Sequence, residues 1–131
     1  TVSVTQAIAL TVTPNEYAFG SSNMGWTMNT AVDAFTATNT GNGLEKFTIS
    51  VGNSANWTAG VGVGKEQFQM GFKTATNSGT VIAPITGSTL ANNIAKNGIQ
   101  KFGLEIILPS DTDYAGVQQT IPVTITASVA D

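Results

Sequence analysis

The chain has 131 residues and only 10% are charged: eight acids against five lysines, for a formal net charge of −3, with no histidine, cysteine or arginine. That composition excludes disulfides, thiolate nucleophiles and zinc sites built on His or Cys, and it removes the commonest general base near neutral pH. Without a basic cluster the chain offers no footprint for nucleic acid, and no apolar run approaches the roughly 20 residues a membrane helix needs. Twenty threonines and eleven asparagines leave a polar, uncharged surface that suits strands and turns and is poor in helix formers.

The first segment, TVSVTQAIALTVTP (1–14), alternates with period 2 through Val2, Val4, Ile8, Leu10 and Val12, against Thr1, Ser3, Thr5, Thr11 and Thr13 in the other register. This is a β-strand pattern. NEYAFGSSNMG (15–25) is a connection holding Tyr17 and Phe19, and WTMNTAVDAFTATN (26–39) reads as extended. TGNG (40–43) is a turn whose Asn42-Gly43 tolerates positive φ. LEKFTISV (44–51) sets Phe47, Ile49 and Val51 against Lys46, Thr48 and Ser50; GNSAN breaks it, and WTAGVGV (57–63) alternates again.

EQFQMGFKT (66–74) is the cleanest alternation in the middle of the chain, with Phe68, Met70 and Phe72 expected inward. In TVIAPIT (80–86), Pro84 demotes the segment to an edge or a bulge. GSTLANNIAKNG (87–98) has helical spacing from Leu90 to Ile94 behind Ser88 as an N-cap, which predicts a single helical turn. KFGLEIIL (101–108) is a strand, PSDTDYAG (109–116) a loop, and VQQTIPVTITASVA (117–130) a long final strand in which Pro122 argues for an edge. About eight strands separated by turn residues predict an all-β fold, an antiparallel Ig-like or jelly-roll-type β-sandwich with an extended N-terminal strand.

Chemical motifs are few. AGVGVGKE (59–66) clusters Gly60, Gly62, Gly64 and Lys65, but Ala59 and Glu66 stand where a P-loop needs Gly and Ser/Thr, and no helix pattern follows. A glycine-bearing strand closely approached by a neighbour is the better reading. In DTDYAG, Asp111 and Asp113 with Gly116 suggest a calcium loop, yet Ala115 and Pro122 occupy the fifth and twelfth places, so a solvated loop is the simpler reading. Glu45, Glu66 and Glu105 are expected to face solvent, with no acid pair placed for glycosidase chemistry. Trp57 is expected in the core; Trp26 is open, and both are candidates for stacking on sugar. Asn56-Trp57-Thr58 is an N-glycosylation sequon with Asn56 expected to point outward. No catalytic residue and no resident cofactor is expected.

The first segment is about twice as long as its domain needs: thirteen extended residues reach about 43 Å at about 3.3 Å each, against about 17–20 Å for an ordinary strand. Ala9–Thr13 is read as the first home strand and Thr1–Ala7 as an overhang, giving an extension over 1–8 and one domain over 9–131. Inserted beside an open edge of another subunit, the overhang would bury Val2 and Val4 at about 1.5–3 kcal/mol apiece. A strand bending across both sheets of its own sandwich, or a frayed end, is the competing reading.

Three stretches, TVSVTQAIALTVTP, NTGNGLEKFTISVGNSANWT and FGLEIILPSDTDYAGVQQTIPVTITA, resemble secreted Ig-like β-sandwich subunits of bacterial and archaeal surface filaments. The resemblance implies donor-strand complementation through Thr1–Ala7, with Val2, Val4, Ile8 and Leu10 on the assembly strand, identical subunits as partners in a homopolymer, and a place at the cell surface. The start at Thr1 fits removal of a secretory leader. A secreted adhesin or carbohydrate-binding module is the alternative.

Overall fold

The computed structural model describes Gln6 and residues 8–131. It is all-β, with no helix among the described residues. The ten strands are β1 (Leu10–Thr13), β2 (Thr27–Asn29), β3 (Phe35–Asn39), β4 (Glu45–Val51), β5 (Thr58–Ala59), β6 (Gln67–Lys73), β7 (Thr80–Val81), β8 (Ser88–Ile94), β9 (Ile99–Ile107) and β10 (Val123–Val129). One sheet runs β1-β3-β9-β6-β5, with β2 added to β9 and β7 to β6; the other is the three-stranded β10-β4-β8. Every pairing is antiparallel except β5 with β6.

Alternation builds the core. Phe47, Ile49 and Val51 of β4 are buried, as are Phe68, Met70 and Phe72 of β6 and Phe102, Leu104 and Ile106 of β9 with Leu108 just beyond it. Their rows form one hydrophobic cluster, in which Phe35 of β3 stacks on Phe102 with ring centroids 5.2 Å apart. The same parity places Glu45 inward, in line with Phe47, and it is fully buried (0% exposed), so the expectation that it faces solvent is corrected. Strand parity outweighs the charge of a single side chain when the residues two and four further on are Phe and Ile.

Other boundaries differ from those read off the sequence. The helical turn expected at 87–98 is strand β8: Leu90 and Ile94 are four apart, a spacing that lies on one face of a helix and equally on one face of a strand. Its pairing with β4 slips between Glu45 and Thr48, and Asn93 takes a φ of 56°, which marks a bulge. WTAGVGV pairs only through Thr58 and Ala59, and Val61 is 75% exposed. The final strand is seven residues, Val123–Val129, and 117–122 is irregular. Glu66 sits in a turn with φ 58°, and Glu105 is half-buried on β9.

Asn39, at the end of β3, is fully buried and uses its whole amide. Its Nδ2 donates to the Gly43 carbonyl (2.7 Å) and the Ile94 carbonyl (2.8 Å), and its Oδ1 accepts from the Gly41 N–H (2.8 Å). One side chain thereby fastens the large sheet, the 40–44 turn and the end of β8. Asn39→Asp keeps the shape but removes both donors, leaving two carbonyls to face a carboxylate. The expected loss is about 2–5 kcal/mol, read as a lower urea midpoint with an unchanged slope; Asn39→Asp at wild-type stability would contradict this role.

Candidate assembly site

The sandwich has two distinguishable ends. Leu10 pairs with Asn39, Thr38 with Ile99, and Glu45 with Val129, so the starts of β1, β4 and β9 and the finish of β10 share one end. We call this the exit end, because the chain before β1 leaves there. The Ala9 N–H donates to Glu45 Oε2 at 3.0 Å, and Gln6 Nε2 donates to the Leu44 carbonyl at 2.8 Å. Gln6 and Ala9 thus contact neighbouring residues at the start of β4, and the Leu44 carbonyl also accepts from the Ala130 N–H at 3.3 Å. Glu45 Oε1 has no hydrogen-bond partner among the described residues. Leu10 belongs to the home sheet, whereas Ile8 is 39% exposed; Val2 and Val4 lie outside the described residues.

Between β1 and β10 the two sheets are not joined by any strand pairing among the described residues. A groove of about 1240 Å³ lies there, lined by Phe35, Phe102, Leu104 and Ile106 of the large sheet and by Val123 and Ile125 of β10. Small-molecule pockets are usually about 300–1,000 Å³, so this space exceeds that range. Two irregular stretches, 14–22 and 114–121, form its walls. Among the described residues no backbone–backbone hydrogen bond involves 14–22. That stretch rests on Tyr17 and Phe19, whose rings meet edge-on at 5.0 Å, and on Tyr17 against Phe35 at 6.0 Å.

The inward row of β10 is partly exposed. Val123, Ile125 and Ala127 are only half-buried, while their partners on β4, Val51, Ile49 and Phe47, are at 3%, 0% and 0% exposure. A strand flanked on both sides would bury that row. The outer side of β10 has no strand partner among the described residues.

The remaining candidates are placed elsewhere. Trp57 is buried at 8% exposure, its Nε1 donating to Thr112 Oγ1 at 3.1 Å, and it lines the groove; Trp26 is 61% exposed and does not. The two tryptophans therefore form no common stacking platform. Thr112 also donates to Glu66 Oε2 (3.0 Å), and Glu66 Oε1 accepts from the Asp113 N–H (2.6 Å). Glu66 thus ties down the loop that carries both aspartates. The Asp113 carboxylate lies 3.2 Å from Lys65 Nζ and, by hydrogen bond and charge, holds that ammonium above its ordinary value. Among the described residues no three acids converge as a metal site. Asn56 is half-buried, and its Oδ1 accepts from Gln119 Nε2 at 3.0 Å, a contact that occupies one side of the sequon amide. In the glycine cluster, the Gln67 and Gln69 side chains bond to the backbone of Gly62, at 3.1 and 2.7 Å; the close neighbour is a pair of glutamines.

Burial separates the two tryptophans experimentally. Trp57→Ala is expected to cost about 3–5 kcal/mol in chemical unfolding, and Trp26→Ala within about 0.5 kcal/mol; equal losses would contradict these placements. Comparison with protein-family models, with curated proteins and with solved structures returned no match for this chain.

Proposed function

We propose that this protein is a non-enzymatic structural subunit of an extracellular filament, polymerised by donor-strand complementation through the segment that precedes β1. The observation that carries the reading is the half-exposed inward row of β10 beside a groove lined by core residues. Among the described residues, no strand pairs with the outer side of β10. The chain also has, in Thr1–Ala7, an alternating segment with Val2 and Val4 on one face. A free edge and a spare strand in the same sequence fit a homopolymer, because each copy both provides and receives.

The pairing also has an energetic basis. An unpaired strand edge presents a row of N–H and C=O groups that another strand can satisfy, and full burial of each donor valine is worth about 1.5–3 kcal/mol. The uncharged, Thr- and Asn-rich surface suits a secreted, densely packed polymer, in which repulsion between like-charged copies would be costly. With Trp57 in the core, the carbohydrate-binding alternative is left with Trp26 alone, which is 61% exposed.

Deleting residues 1–7 is expected to leave a folded domain that no longer polymerises. Negative-stain microscopy and size-exclusion chromatography read the assembly, and far-UV circular dichroism reads the fold. Filaments of unchanged appearance from the deletion variant would overturn the donor-strand reading.

A further inference from the structure

Four features of the free edges distinguish β10 from the rest. It is seven residues long, whereas β1 has four and β5 and β7 two each. It pairs with β4 in unbroken register from Val123 to Val129. Its sequence, VTITASV, contains no charge and no proline. Finally, its inner face borders the groove. The opposite edge of the same sheet, β8, carries the bulge described above, a feature that discourages edge pairing. Among the described strands, β10 is therefore the longest free edge with an unbroken register.

Direction follows from topology. β1 runs from the exit end towards the opposite end, because Leu10 is level with Asn39 and Thr13 with Thr36. β10 runs the other way, from Val123 beside Val51 to Val129 beside Glu45. If subunits stack head to tail, the segment preceding β1 continues the line of β1 off the exit end and enters the far end of the next copy. It then travels in the β1 direction, which is antiparallel to β10. Filling its own groove would instead require a reversal within Gln6–Ala9, a stretch without Gly, Pro or Asn to turn it, and the returning segment would lie parallel to β10.

We infer that the outer edge of β10 is the acceptor, and that its occupant is residues 1–7 of a second copy, paired antiparallel with Val2 and Val4 facing the groove. This rests on the filament reading and adds the edge and the polarity. In an antiparallel ladder, a donor placing Val4 opposite Ile125 places Val2 opposite Ala127, so that valines meet the half-buried row of β10. Six donor residues, 1–6, then span Ser128 to Val123 of β10. The 14–22 stretch covers the groove without backbone hydrogen bonds and can shift at little cost as the strand enters.

Because the chain has no cysteine, engineered thiols report without background. One copy carries Ser3→Cys or Thr5→Cys; the other carries Thr124→Cys or Thr126→Cys on β10, or Thr89→Cys on β8. The two are mixed, allowed to assemble and oxidised, and covalent dimers are scored on a non-reducing gel. The inference expects strong dimers with β10 and a preferred partner that moves to a lower number as the donor thiol moves from 3 to 5. A preference moving to a higher number means parallel pairing and overturns the polarity. Dimers through Thr89→Cys alone overturn the choice of edge while supporting strand exchange. Filaments without any dimer overturn the inference, and neither filaments nor dimers overturns the filament reading itself. A chain carrying Ser3→Cys and Thr126→Cys together that closes only on itself overturns both.

Discussion

The structure depends on a mismatch between its two layers. A seven-stranded sheet presents a wide apolar face, and a three-stranded sheet covers it. Phe47, Ile49 and Val51 of the central strand β4 are sealed between the layers, and their neighbours on β10 are not. Apolar surface left next to water is unfavourable in proportion to its area. The 14–22 stretch reduces this exposure with Tyr17 and Phe19, but side chains alone leave the backbone edge of β10 without a strand. Another strand would remove both deficits at once, and the assembly proposal rests on this rather than on any chemical motif.

Two buried polar residues make that arrangement specific. Asn39 joins the layers at the exit end through hydrogen bonds to Gly43, Ile94 and Gly41. Glu45, beside it, receives the Ala9 N–H and so fixes the backbone just before β1. Placing a carboxylate inside is costly unless it is hydrogen-bonded; here Oε2 accepts from the Ala9 N–H, while Oε1 has no partner among the described residues. Both residues lie at the exit end, while the groove runs alongside β10 towards the other. In the proposed filament, an exit and an entrance at different ends would make heterologous contacts that propagate instead of closing into a dimer.

Much of the fold was legible in the sequence because strand parity is a simple code. The rows of β4, β6 and β9 fall where alternation puts them, and Trp57 is in the core as expected. The losses have physical reasons. Leu90 and Ile94 lie on one face in either a helix or a strand, so spacing could not separate the two. Val61 and Val63 alternate convincingly, yet no strand pairs with them, since pairing depends on distant residues that a local pattern does not contain. The burial of Glu45 was available from parity with Phe47 and Ile49, but its charge argued against it. The site was legible only in half: the alternating segment before β1 can be read from the sequence, whereas the open edge of β10 requires knowing which strands are neighbours.

The central claim is that β10 gains a strand partner only when copies assemble. Amide hydrogen exchange across Val123–Val129, compared between assembled filaments and the dilute monomer, tests it most directly. The account expects the outward-facing amides of this strand to exchange quickly in the monomer and to become strongly protected in the filament, while those of β4 are protected in both. Equal protection of β10 in the two states would contradict it, because the edge would then be occupied within a single copy.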